Sequence, residues 1–210
     1  MAITSALRLA AVPLVLAATA TLTATAPATA APATAAPATA APVTAAPAAA
    51  PADRAVAGIS GWARMDYPVA DEDIRIFVDA HGLFTPHDQG VAASSWGTFR
   101  IQHWWPPKGD GQPSFNWGDF KVDCVSVNGP DVAVTGRIVD AGPYWQEFLH
   151  RKQPARMGLS FHVPADGGGP TRIGLTAPTA DGQPELPKCS AKSPDANAIE
   201  GGYTVLDTRR

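Results

Sequence analysis

Histidines are the residues of this chain best suited to bind a metal or to move a proton. The five are His81, His87, His103, His150 and His162. None lies in an H-E-x-x-H motif or four residues from another, so no two are fixed on one helical face. The segment Asp79–His81 could meet the pair His87-Asp88 in a loop and bind zinc or copper, although a histidine beside an aspartate is more often a surface hydrogen bond. The spacing predicts no metal site.

Nucleophiles and acids indicate no catalytic site either. The segment Gly158–His162 is not G-x-S-x-G, and Ser160 and His162 would point to the same side of a strand instead of forming a nucleophile elbow. A glycosidase pair cannot be chosen among 19 Asp and Glu residues without distances. The triplet Asp71–Asp73 offers oxygen ligands for calcium but lacks the spacing of a calcium loop, so it is interpreted as a solvated turn. The sequence predicts no catalytic residue and no cofactor, with a small enzyme whose site is built from loops as the alternative.

Aromatic side chains offer more chemistry than the titratable ones. On a strand from Gly97 to Trp105, Trp104 and Trp105 must leave opposite faces, and Trp104 shares its face with Trp96 and Arg100. If this face is exposed, Trp96, Arg100 and Trp104 are candidate contacts for a sugar ring or another flat ligand. The alternative, which the usual burial of large aromatic side chains favours, is that the helix near residue 145 or a loop covers them. Arg100 would then stack on a tryptophan inside the protein.

Trp96 and Trp104 cannot contact one ring together on a straight strand. At about 3.3 Å per residue, their separation is about 26 Å. A shared platform therefore needs a bulge at Gly97 or a partner from a neighbouring strand, such as Trp117. Trp104 alone, next to the Pro106-Pro107 end of its strand, is the best single candidate for an exposed contact.

The elements that must position these side chains are β-strands. The segment Phe120–Val139 alternates apolar and polar residues on both sides of a turn at Asn128–Asp131, which predicts a hairpin. Phe120, Val122 and Cys124 are expected on one face of its first strand. Further strands are predicted over 74–79, 97–105, 157–163, 172–175 and 203–207.

About seven short strands with turn signals between them, and one short helix, predict an all-β fold. We expect a single antiparallel β-sandwich or small barrel spanning residues 57–210. The helix is predicted over 143–152, with Tyr144, Trp145, Phe148 and Leu149 on its apolar face.

The first 56 residues differ in composition from the rest. Residues 1–30 have a weak positive end at Arg8, a short apolar stretch and an Ala28–Ala30 cleavage pattern, which predict a signal peptide; an uncleaved membrane anchor is the alternative. Residues 31–56 continue a five-residue Pro/Ala/Thr repeat and are predicted to be a disordered spacer, with or without O-glycans on its threonines. The protein is therefore expected outside the cell, with no membrane span in the mature chain.

Two cysteines in an exported chain most often pair. We expect a disulfide between Cys124 and Cys189, which would hold the central hairpin to the Pro-rich segment near Pro187. Two free thiols or an intermolecular bond are the alternatives.

The charge balance excludes some classes of partner. The chain has 16 Lys and Arg against 19 Asp and Glu, a net charge of −3, so it lacks the basic footprint that nucleic acids need. The adjacent basic pairs are Arg151-Lys152 and Arg209-Arg210, which are too few for a polybasic patch on a membrane surface.

Short motifs along the folded region resemble those of one protein family. They are IFVDAHG (76–82), GTFR (97–100), VDC (122–124), GPDVAVTGRIV (129–139), GLSFHV (158–163), TRIGL (171–175) and GGYTV (201–205). With the late Cys189, they make residues 70–207 similar to a family of small secreted actinobacterial proteins, sometimes labelled repetin-like. The resemblance implies secretion, an all-β domain and the disulfide, and it carries no catalytic residues. We therefore expect a secreted, non-enzymatic β-domain that is either structural or a module binding cell-wall polysaccharide or another extracellular ligand.

Overall fold

The described residues form eight strands, because alternating apolar residues let most of the strands bury one side and expose the other. They are β1 Ala55–Met65, β2 Asp73–Phe84, β3 Ser94–Trp105, β4 Ser114–Asn128, β5 Asp131–Ala141, β6 Arg156–His162, β7 Arg172–Thr176 and β8 Ala196–Asp207. These positions come from a computed structural model that describes residues 54–69, 71–107, 109, 111–165 and 168–209. The predicted signal peptide, and the predicted spacer up to residue 53, lie outside the described residues.

Each strand pairs antiparallel with the next, and β8 pairs back with β1, so the sheet closes into a barrel. The predicted all-β, antiparallel fold with one short helix is confirmed, with eight strands in place of about seven. The two strand pairings that β8 makes to close the barrel differ in length. β1 pairs with β8 over most of its length, whereas β7 and β8 pair only at Arg172↔Asn197 and Ile173↔Ala196.

Large apolar side chains fill the interior of the barrel. Phe99 from β3 and Phe120 from β4 stack with their ring centres 4.6 Å apart, and Phe161 meets Tyr203 edge-on at 4.8 Å. The largest fully buried side chains are Phe84, Phe99, Phe120, Phe161, Ile59, Ile74, Ile76, Ile101, Ile138, Leu159, Ile173 and Val125. Because these side chains make the middle of the barrel a packed core, ligand sites are to be sought on its outer surface and at its ends.

The predicted hairpin is formed by β4 and β5. Its turn residue Gly129 has a positive φ of 61°, which the tight connection requires. The expectation that Cys124 shares the inward face of Val122 is wrong. A register shift between Val122 and Cys124 turns the strand, so Val125 faces the core and Cys124 faces the outer side.

A long loop, residues 177–195, covers the outside of β5 and β6. Cys124 is bonded to Cys189 of this loop, with their Cα atoms 5.2 Å apart, so the predicted pairing is present. Arg156 of β6 is buried and donates to Asp123 at 2.7 Å and to Glu185 of the loop at 2.9 Å. Because the core lies on one side of β6 and the loop on the other, its residues from Arg156 to Phe161 are all buried.

The helix is shorter than predicted and closes one end of the barrel. A 3-10 turn, Pro143–Trp145, is followed by α1, Gln146–Leu149. Trp145 packs against Phe120 with ring centres 6.4 Å apart, whereas Tyr144, predicted on the same apolar face, is 61% exposed. The tighter 3-10 winding separates two side chains that the α-helical pattern places together. Among the described residues, no helix is long and apolar enough to cross a membrane.

Candidate functional site

The outward side chains of β1 to β4 form a continuous surface rich in aromatic rings and arginines. Antiparallel register brings them side by side, with Trp62 opposite Phe77 on β1 and β2. In the same way, Trp104 of β3 lies opposite Phe115 of β4. We call this surface the aromatic face. Its members are Trp62, Arg75, Phe77, Arg100, Gln102, Trp104, Phe115 and Trp117.

Trp104 lies at the centre of a stack that crosses three strands. Its ring is 4.6 Å from that of Phe115 and is tilted by 30°, and the guanidinium of Arg75 lies over it at 5.1 Å. Asp73 holds Arg75 in place by accepting two hydrogen bonds, at 3.0 and 3.3 Å. β4 pairs with β5 only from Gly118 onward, so no β5 side chain flanks Phe115. The stack therefore ends in the exposed phenyl ring of Phe115, at a part of β4 that does not pair with β5.

Arg100 makes the second stack of the aromatic face. Its guanidinium lies 4.9 Å from the ring centre of Trp117, and it donates two hydrogen bonds to Asp119, each of 2.5 Å. The hydrogen bond to Asp119 raises the pKa of Arg100 above its ordinary value, so this cation stays charged at any physiological pH. Gln102 lies beside Trp117 in the strand register, which places a carboxamide between the two stacks.

Trp62 and Phe77 complete the aromatic face on the side of β1. Their rings are nearly parallel, with an angle of 19° and centres 5.9 Å apart. Phe77 also lies opposite Arg100 in the β2–β3 register, so this pair adjoins the second stack. A shallow depression of about 400 Å³ lies here, lined by Phe77, Arg100, Asp119 and Val139 among others. The face thus combines apolar rings, fixed cations and a concave surface.

The three predicted ligand contacts, Trp96, Arg100 and Trp104, all lie on the outward side of β3, but Trp96 is at the far end of the strand, beyond the aromatic face. Trp96 is exposed near the start of β3 and stacks on His81, with ring centres 5.7 Å apart. The β2–β3 register runs through Gly97 without a shift, so this glycine does not supply the bulge that would bring the two tryptophans together. The neighbouring strand β4 supplies partners for both residues: Trp117 stacks on Arg100, and Phe115 stacks on Trp104.

The helix does not cover the aromatic face. Its Trp145 packs against the inward residue Phe120 at the end of the barrel, while Phe77 and Phe115 remain exposed. The expected stacking of Arg100 on a tryptophan is present, but it occurs on this partly exposed outer surface. The aromatic face is therefore accessible to a ligand.

Sequence reasoning missed Trp62, Phe77 and Phe115 as members of this face. Strand alternation could have assigned each of them an outward direction. Only the pairing of strands distant in sequence shows that they adjoin Trp104 and Arg100, and one sequence does not specify that pairing.

The aspartate and histidine side chains weighed above as possible metal ligands form only a local contact. Asp79 and His81 form a local pair, with Oδ1 and Nε2 2.8 Å apart. In the part of the chain that the structure describes, no group of three or more His, Cys, Asp or Glu side chains could hold a metal ion.

Comparison of the chain with protein-family models, with curated proteins and with solved structures gives no match.

Proposed function

We propose that this chain is a secreted, non-enzymatic binding module that holds cell-wall polysaccharide on its aromatic face. The observation that supports this most is the stack of Arg75, Trp104 and Phe115, which ends in an exposed ring on an open sheet surface. Aromatic rings held in this way offer rigid apolar area for the C–H faces of sugar rings. Contiguous exposed apolar surface also marks binding sites in soluble proteins.

The polar groups of the aromatic face fit an uncharged polysaccharide. Arg75 is paired with Asp73 and Arg100 with Asp119, so an adjacent carboxylate balances the positive charge of each arginine. Their remaining N–H groups, and the carboxamide of Gln102, can hydrogen-bond to sugar hydroxyls. A polyanion would meet the neighbouring carboxylates, which repel it.

Secretion is part of this proposal and is supported by two independent features. The first 30 residues have the pattern of a signal peptide, and Cys124 is bonded to Cys189, as is common in exported proteins and rare in the cytosol. We expect the intact mass of the exported protein to correspond to a chain that starts at Ala31. A chain that still starts at Met1 would favour an uncleaved anchor.

The binding proposal is tested by retention of the exported protein on insoluble cell-wall polysaccharide. We expect Phe115→Ala to lower retention, because it removes the open end of the stack. Trp96→Ala is the matched control, since Trp96 is also an exposed aromatic residue but lies outside the aromatic face. Equal losses in both variants would indicate nonspecific adsorption, and no loss for Phe115→Ala would contradict the proposal.

A further inference from the structure

A recess on the outside of the barrel is enclosed by the segment after α1, the start of β6 and the 177–195 loop. Its volume is about 270 Å³, and none of the residues that line it belongs to the aromatic face. We call it the loop recess. The charged side chains that line it are Arg151, Lys152, Arg156, Asp181 and Glu185.

Arg156 is the most deeply buried cation of the loop recess, with a side chain that is only 7% exposed. Its Nε donates to Asp123 at 2.7 Å, and its Nη1 donates to Glu185 at 2.9 Å and to the backbone oxygen of Leu186 at 2.7 Å. Among the described residues, its Nη2 makes no hydrogen bond. Nη2 is also not one of the fully enclosed polar atoms that lack a partner, so part of its surface is accessible. Because Arg156 lines the recess, Nη2 can donate to a molecule inside it.

Arg151 brings a second guanidinium to the loop recess. It lies over the ring of Phe148 at 4.7 Å, and its Nη1 donates to the backbone oxygen of Thr179 at 2.8 Å. The carboxylate of Asp181 is 3.8 Å from its Nε, which is too far for a hydrogen bond. Its Nη2 likewise makes no hydrogen bond within the described part of the chain. The recess therefore has two guanidinium groups that are held in place and still have N–H groups to donate.

The charges around the loop recess leave an excess of one positive charge. Three cations and two carboxylates line it. Arg137 and Asp123 contact this group from outside the recess, which gives four cations against three carboxylates. Both oxygens of Glu185 accept hydrogen bonds from Arg137, so this carboxylate is shared with a cation that does not line the recess. The net charge of the whole chain is −3, so this positive excess is local.

This balance favours a ligand with a single negative charge. A phosphate monoester carries about −1.5 to −2 charges at neutral pH, which exceeds the local excess. The carboxylates of Asp181 and Glu185 would repel a second negative charge. The volume of the recess is just below the usual range of ligand pockets, about 300–1,000 Å³, so it suits a small molecule. The carboxamides of Gln153 and Gln183 also line it and can bond to hydroxyl groups.

We propose that the loop recess binds a small hydroxylated molecule that carries one carboxylate. Nη2 of Arg156 and Nη2 of Arg151 donate to the carboxylate oxygens, and such charge-assisted hydrogen bonds are stronger than neutral ones. Gln153 and Gln183 bond to the hydroxyl groups. Two sources supply this chemistry: a free 2-hydroxy acid, or a sugar acid. The site is separate from the aromatic face and does not depend on it.

The test is a titration of the purified protein at fixed ionic strength, followed by the NMR signals of the Nε–H groups of Arg151 and Arg156. Lactate and glucuronate are the two probes. Lactamide, which has the shape of lactate without its charge, and sulfate, a dianion, are the controls. We expect saturable shifts with at least one carboxylate probe and none with lactamide. Tighter binding of lactate assigns the site to a hydroxy acid, and tighter binding of glucuronate assigns it to a sugar acid. No shift with either probe, or binding of sulfate as tight as that of the better probe, would overturn the proposal.

Two variants with opposite expected effects identify the loop recess as the place of binding. Arg151→Gln should weaken binding of the better probe roughly tenfold, because it removes one charged donor. Lys188→Gln is the matched control: it removes the same charge from an exposed position of the 177–195 loop that does not line the recess. Equal losses in both variants would mean that the probe follows the net charge alone, which would overturn the proposal.

Asp181→Asn is the second variant and should strengthen binding roughly two- to fivefold, because it removes a repelling carboxylate. Its side chain is 91% exposed, so the variant keeps the proposal testable if Arg151→Gln does not fold. No gain in affinity for Asp181→Asn would overturn the proposal. Retention on cell-wall polysaccharide should be unchanged in all three variants, which separates this site from the aromatic face.

Discussion

The guanidinium of Arg100 lies over the ring of Trp117 at 4.9 Å while it holds both carboxylate oxygens of Asp119. This geometry needs a planar cation with several donors, so lysine cannot reproduce it. We expect Arg100→Lys to lower retention on cell-wall polysaccharide. The free energy of unfolding should change by less than about 1 kcal/mol, because the ion pair is exposed. Arg172→Lys is the control, since Arg172 lies on β7, which pairs with β6 and β8 and with no strand of the aromatic face. Unchanged retention of Arg100→Lys would remove Arg100 from the binding surface.

The disulfide joins Cys124 of the central hairpin to a loop that packs on the outside of the barrel. It spans 65 residues, for which the loss of chain entropy in the unfolded state gives about 4 kcal/mol of stabilisation. We expect the double variant Cys124→Ser, Cys189→Ser to lose a comparable part of its free energy of unfolding. Titration of the denatured, unreduced wild-type protein should find no free thiol. Two free thiols would show that the bond does not form.

Glu185 gives the stability of the protein a defined dependence on pH. Hydrogen bonds from Arg137, and then the charge of Arg156, lower the pKa of Glu185 below its ordinary value of 4.5. Because the folded carboxyl binds its proton less tightly than the unfolded one, its contribution is present above pH 4.5 and is lost as the pH falls through the lowered value.

We therefore expect Glu185→Gln to be less stable than the wild-type protein at neutral pH, with a difference that shrinks under acid conditions. Melting temperatures measured across this pH range would check it. Asp181→Asn is the control: Asp181 is in the same loop, 91% exposed and 3.8 Å from its arginine partner, so its difference from the wild type should be small throughout. A difference for Glu185→Gln that stays constant with pH would contradict the assignment.

Local patterns in the sequence were sufficient to predict much of this fold. Alternation in β4 and β5 and the turn at Gly129 specify a hairpin without reference to distant residues. The disulfide could be predicted from the presence of just two cysteines and the expected oxidising location. By contrast, the outward turn of Cys124 depends on a register shift against β5. That shift places Cys124 beneath the 177–195 loop, and no pattern within β4 itself indicates it.

The aromatic face was less accessible to sequence reasoning, because it is assembled from separate strands. Trp104 and Arg100 could be assigned to one face by alternation alone. Phe115 lies before the predicted hairpin, in a segment where no strand was predicted, and it reaches Trp104 through the β3–β4 register. Register and strand order were thus the missing information.

The effect of truncating Trp104 distinguishes whether the aromatic face is a binding surface or an extension of the core. Its ring is half-buried between Arg75 and Phe115, so truncation removes one stacked contact on each side. We expect Trp104→Ala to lower the free energy of unfolding by about 1–2 kcal/mol, less than the roughly 3–5 kcal/mol for a fully buried aromatic side chain. Phe99→Ala, at a fully buried position of the same strand, should show the larger loss. Retention on cell-wall polysaccharide should fall for Trp104→Ala measured well below its melting temperature. A loss of stability as large as that of Phe99→Ala would mean that Trp104 belongs to the core, and the proposed surface would lose its central residue.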